Sequence, residues 1–84
     1  MTKLSSTKKG ASCKLVSTSC GAKLGRRLLD MGFMPGENIL VMTNTGKKGS
    51  IMVKVKGSKI VLSNKIADNI TVMEEDNNGN NGDA

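Results

Sequence analysis

The chain has 84 residues, a formal net charge of +6, two cysteines, no histidine and a single aromatic residue, Phe33. That length supports one small domain, and it contains neither an apolar run long enough to cross a membrane nor the apolar stretch of a signal peptide at its start. A cytoplasmic protein with reduced thiols at Cys13 and Cys20 is therefore expected. Four of the seven acidic residues, Glu74, Glu75, Asp76 and Asp83, lie at the C-terminal end. The body carries thirteen basic against three acidic residues, or +10, which suits an anionic partner such as nucleic acid, a membrane surface or an acidic protein.

In chain order, Lys3 to Lys9 is polar, with Leu4 its only anchor, and Lys9-Gly10 reads as a turn. Ala11 to Ser17 is a predicted strand with Cys13 and Leu15 on one face and Lys14 and Val16 on the other. Ser17-Thr18-Ser19-Cys20-Gly21 is a loop rich in helix-capping residues. In the helix that follows, Leu24, Leu28 and Met31 share one face, while Lys23, Arg26, Arg27 and Asp30 lie on the opposite arc. Asp30 can meet Arg26 or Arg27 one turn back. Gly32 stands where a left-handed residue ends a helix, so that Phe33 folds back onto Leu28. Pro35-Gly36 suits the central positions of a type II turn, because Pro presets φ and Gly accepts a positive one.

Beyond that turn, Ile39-Leu40-Val41-Met42 is a continuous apolar strand expected to be buried on both faces. Asn44 to Gly49 forms a loop with two glycines and two lysines. Ile51 to Lys56 alternates, with Ile51, Val53 and Val55 inward. Gly57-Ser58 is the predicted hairpin turn, and Lys59 to Leu62 returns. Ser63 to Asn69 is a short connection with room for one tight turn. Ile70-Thr71-Val72-Met73 is the fifth strand. Glu74 to Ala84 is acidic and rich in Asn and Gly, and is expected to be disordered, giving a folded domain over residues 1–75 and a tail over 76–84.

Five short strands with one helix after the first predict a mainly β fold, a small and strongly bent antiparallel sheet or barrel. The expected core is Leu15, Leu24, Leu28, Met31, Ile39, Val41, Ile51, Val53, Val55, Ile60, Leu62, Ile70 and Val72.

Catalysis finds little support. Histidine is missing, and Cys13 sits in a predicted strand without an evident base. Gly46-Lys47-Lys48-Gly49 lacks the length and the Lys-Ser/Thr end of a phosphate-binding loop. Cys13 and Cys20, seven apart, do not have zinc or iron–sulfur spacing, and Asp30, Glu37 and Asp68 are scattered, so no metal ligands and no cofactor are assigned. Lys23, Arg26 and Arg27 are either a docking patch for an acidic surface or a solvated helix face. Met34 beside Pro35 either covers the end of the barrel or offers a flexible contact.

Arg26-Arg27-Leu28-Leu29-Asp30-Met31-Gly32 followed by Met34-Pro35-Gly36 resembles the signature of the FeoA family, small cytoplasmic proteins of bacterial ferrous iron uptake. The preceding strand, the Val53-Lys54-Val55-Lys56-Gly57 hairpin and the closing Ile70-Thr71-Val72 strand fall in the family's order, so the resemblance covers roughly Leu4 to Glu75. It implies an SH3-like barrel without enzymatic activity. It also implies docking to the cytosolic part of the membrane ferrous iron transporter FeoB, with membrane contact only through that transporter. Lys23, Arg26, Arg27, Met34 and Pro35 are the expected partner-binding residues. The alternative is a basic barrel that binds nucleic acid or acts as a metal-responsive regulatory domain. Lys47, Lys48, Lys54, Lys56 and Lys59 could track phosphates, but the aromatic platforms of single-strand binders are missing. A peptide-binding SH3 groove would likewise need Trp or Tyr.

Overall fold

The computed structural model describes residues 1–75, so the tail expected over 76–84 lies outside the described residues. Six antiparallel strands form one sheet in the order β1-β6-β2-β3-β4-β5. They are β1 (Thr2–Lys3), β2 (Ser12–Thr18), β3 (Asn38–Asn44), β4 (Ser50–Val55), β5 (Ser58–Ser63) and β6 (Ile70–Glu75). Helix α1 (Gly21–Asp30) follows β2, and the single turn α2 (Asn64–Ala67) joins β5 to β6. The sheet curls around one core without closing into a complete ring of paired strands.

The alternation read from the sequence holds where each strand has one face inward. Leu15, Ile39, Val41, Ile51, Val53, Val55, Leu62, Ile70 and Val72 are buried together with Leu28. Leu4, Cys13, Phe33 and Ala67 join them. Leu24 and Ile60 are only partly buried, and Met31 is 40% exposed. Met31 caps a short helix, and the next residue but one, Phe33, enters the core and fills the volume beneath the helix end.

Three further expectations are corrected. The polar N-terminus supplies a sixth strand, with Thr2 opposite Val72, followed by a 3-10 turn over Leu4–Ser6. Strand β3 is not buried on both faces, since Leu40 points outward while its neighbours Ile39 and Val41 are enclosed. Glu74 and Glu75 are not part of a disordered segment. They extend β6 opposite Cys13 and Ser12, and Lys14 Nζ lies 3.6 Å from Glu75 Oε2.

The β4–β5 hairpin also turns one residue earlier than Gly57-Ser58. Val55 pairs with Ser58, leaving Lys56 (φ 52°) and Gly57 (φ 81°) as the two central residues. Positive φ at both is the requirement of a type I′ turn, whose twist matches the flanking strands. Hydrophobic alternation could not separate the two registers, because each keeps Val53 and Val55 facing inward. Lys56 is the one non-glycine residue at positive φ among those described, a conformation that disfavours a side chain with Cβ. Lys56→Asn should therefore stabilise the domain by about 0.5–1 kcal/mol, since Asn tolerates this region. The variant forgoes the ion pair between Lys56 Nζ and Glu37 Oε1, but at 3.6 Å and half-exposed that pair contributes little. A urea midpoint that fell instead would show that the lysine stem is structurally engaged.

The open side of the sheet is tied by a polar cluster. Asn44 Nδ2 donates to the carbonyls of Ser5 (3.1 Å) and Thr7 (2.6 Å). Its Oδ1 accepts from Gly46 N (3.1 Å) and from Asn64 Nδ2 (2.8 Å). Asn64 is buried, and its amide also donates to the Gly46 carbonyl. The Asn44 side chain thus uses both donors and both acceptor positions, joining the N-terminal segment, the β3–β4 loop and the start of α2. Ser63 caps α2, its hydroxyl accepting from Ile66 N, and Ser5 Oγ donates to Asp68.

Candidate docking site

The helix-stop-turn stretch folds as its local chemistry dictates. Gly32 N donates to the Leu29 carbonyl and Phe33 N to the Leu28 carbonyl, each at 2.9 Å, with Gly32 at φ 102°. This is the paired termination of a Schellman motif. Glu37 N then donates to the Met34 carbonyl at 2.9 Å with Gly36 at φ 90°, as a type II turn requires. Two more bonds lock the turn to β2: Gly36 N to the Leu15 carbonyl (2.8 Å) and Leu15 N to the Glu37 carbonyl (2.9 Å). Met34 and Pro35 are thereby exposed on a backbone fixed from both sides, and Met34 is 45% exposed.

The other end of α1 differs from expectation. Cys20 occupies the capping position without a side-chain cap bond, and Ser19 N donates to the Asn69 carbonyl. The loop's hydroxyls therefore do not cap the helix. Among the described residues, ion pairs form only between Lys14 and Glu75 and between Lys56 and Glu37, so Asp30 pairs with neither Arg26 nor Arg27.

Lys23, Arg26, Arg27 and Asp30 gather with Leu24 along one surface of α1. Arg26 also borders a second feature, a groove lined by Ala22, Gly25 and Leu29 of α1, by Leu15 of β2 and by Phe33 and Pro35 of the stop and turn. Arg26 and Pro35 thus line one groove, whereas Met34, exposed on the turn, is not among its lining residues. Leu29, 49% exposed, was not singled out from the sequence. The signal was present, since Leu29 falls off the Leu24–Leu28 face and follows Gly25 and Gly21 at four-residue spacing.

The thiol of Cys13 is pushed up to about 11, first by burial and then by the nearby carboxylates of Glu74 and Glu75. It stays protonated at neutral pH, which makes it a packing residue rather than a nucleophile. Both cysteines are free thiols. Among the described residues, no three His, Cys, Asp or Glu side chains gather to hold a metal ion, and no helix is long and apolar enough to cross a membrane.

The profile of the FeoA domain matches residues 2–74. The chain belongs to the FeoA family. It is therefore one of the small accessory domains of ferrous iron transport, not a member of a known enzyme family. No curated protein sequence matches it. The FeoA protein from Chlorobium tepidum aligns with a TM-score of 0.82 at 24% identity, covering 98% of this chain and 78% of that one. FeoA from Stenotrophomonas maltophilia, solved with zinc and described as a prokaryotic SH3 domain protein, aligns at 0.74 and 21% identity over 89% and 96% of the two chains. A manganese-dependent transcriptional repressor aligns at 0.79 and 17% identity, covering 88% of this chain but 41% of that one. The fold is SH3-like, with six strands where five were expected.

Proposed function

We infer that this FeoA-family protein acts in the cytoplasm as a non-enzymatic accessory of ferrous iron uptake. It docks through Lys23, Arg26, Arg27 and the Met34–Pro35 turn onto the cytosolic part of a FeoB-type transporter. The observation that carries this reading is the position of Arg26, which belongs both to the cationic surface of α1 and to the mainly apolar groove that Pro35 also lines. A cation lining an apolar groove suits a partner that offers a carboxylate beside an apolar side chain. Docking of this kind changes transport only by favouring one conformation of the partner over another. The likeness to the repressor is one of fold and favours no second reading.

Reversing both charges, Arg26→Glu with Arg27→Glu, tests the site. Both side chains are exposed, so thermal unfolding should change little. Binding to the purified cytosolic part of the transporter should fall at least tenfold, the usual consequence of placing like charges across an interface. Undiminished binding by the folded double variant would remove this face as the docking site.

A further inference from the structure

The outward face of β3, β4 and β5 carries an apolar stripe bounded by lysines. Register fixes its members: Leu40 pairs with Lys54, Lys54 with Lys59, and Met52 with Val61. Leu40 is 41% and Val61 63% exposed, and Met52 is half-buried between them in strand order. Single apolar residues on a surface are ordinary, but these three occupy one face of three adjoining strands. The charges are equally pointed. Lys54 and Lys59 stand directly opposite each other, an arrangement that costs stability, and neither forms an ion pair among the described residues. Lys14 borders the same shallow depression as Leu40 and Lys54, with Glu75 as its acidic member.

We propose that this face is a contact for an anionic membrane surface, on which the lysines meet lipid phosphates and Leu40, Met52 and Val61 enter the headgroup boundary. Modest apolar burial combined with electrostatic attraction is what holds proteins at such an interface. The residue types select lipid over other anions. Nucleic acid would use the lysines but leave the apolar stripe without a role, and the chain's one aromatic residue, Phe33, is buried elsewhere and cannot stack a base. Protein carboxylates are met best by the forked guanidinium of arginine, and both arginines lie on α1. The cations of the sheet face are all lysines, compact charges suited to a diffuse anionic layer. This contact shares no residue with the transporter-docking site and does not depend on that reading.

The test is flotation of the full chain with vesicles of phosphatidylcholine alone or of phosphatidylcholine with phosphatidylglycerol, at low and at physiological salt. Binding is expected only with phosphatidylglycerol and weakens as salt rises. Lys54→Glu places opposite charges in the cross-strand pair, so it should fold at least as well as the parent. It should weaken vesicle binding about tenfold or more. Lys59→Glu is the mirror variant and should behave alike. Val61→Ser leaves the charge unchanged and should weaken binding severalfold by removing exposed apolar surface. The proposal is overturned if phosphatidylglycerol vesicles fail to retain the protein at low salt. It is also overturned if Lys54→Glu weakens retention while Val61→Ser does not, which would identify a general polyanion surface. Arg26→Glu with Arg27→Glu should retain vesicle binding; its loss there, with Lys54→Glu unaffected, would move the contact to α1 and end this proposal.

Discussion

Phe33→Ala should destabilise the domain by about 3–5 kcal/mol, the usual cost of emptying a buried aromatic site. Phe33 is 1% exposed and is the largest of the fully buried side chains. Backbone bonds at Gly32 and Phe33 on one side, and the locked Met34–Glu37 turn on the other, leave little freedom for the chain to close the resulting cavity. Domains of this size are stable by only about 5–15 kcal/mol in total. The loss should therefore lower the urea midpoint sharply or leave the chain unfolded at ambient temperature. Met34→Ala, one residue on and exposed, should change stability by no more than about 0.5 kcal/mol. The contrast between neighbours separates a core role from a general intolerance of the turn. A cost below about 1 kcal/mol for Phe33→Ala would mean that α1 is held by something other than the residue beneath its end.

Asn44→Ala carries the second large effect. It removes four hydrogen bonds, two that the side chain donates and two that it accepts. It also leaves the amide of buried Asn64 with only the Gly46 carbonyl as a partner. A typical bond contributes about 1 kcal/mol, and a buried polar group stranded without a partner costs about 1–3 kcal/mol. Partial rehydration at the exposed loop moderates the sum, and a net loss of about 2–4 kcal/mol is expected. The loss should be local before it is global. The bonds to Ser5 and Thr7 hold the N-terminal segment against the β3–β4 loop, so amide hydrogen exchange at Thr7, whose N–H is bonded to the Leu4 carbonyl, should accelerate more than exchange in β4. Uniform acceleration across the sheet would show that the cluster supports global stability rather than closure of the open side.

The two predictions fall on opposite sides of what the sequence discloses. Around Phe33 the course of the backbone was legible, although Met31, expected in the core, is exposed and Phe33 takes its place there. Gly32 and the Pro35-Gly36 pair act through their own φ preferences, and Leu28 declares its face by helical spacing, so the motif folds as local rules dictate. The inward faces of β2, β4 and β6 were legible for a similar reason, because period-two alternation needs no knowledge of the partner strand. Misreadings arose where a local pattern allowed two outcomes. Ile39-Leu40-Val41-Met42 is apolar throughout, and only the position of β3 in the sheet leaves Leu40 exposed. The hairpin could turn at either of two places without moving Val53 or Val55 off the core face. Glu74 and Glu75 look like a solvated end until β2 is found beside them.

The candidate docking residues divide in the same way. The arc of Lys23, Arg26 and Arg27 and the exposed turn at Met34 and Pro35 were visible in the sequence, but the groove that joins Arg26 to Pro35 was not. It depends on Gly25, Arg26 and Leu29 of α1 meeting Leu15 of β2 and Pro35 of the turn, a relation between residues separated in the chain. Asn44 and Asn64, twenty residues apart, likewise gave no sign of sharing a hydrogen bond. The helix, its stop, the tight turn and the inward face of most strands each follow from backbone preference or side-chain period within a few residues. The sixth strand, the hairpin register, the asparagine cluster and the Arg26–Pro35 groove emerge only on folding. Each of these depends on which distant groups meet, and hydrogen-bond satisfaction and volume filling act only once the chain has folded.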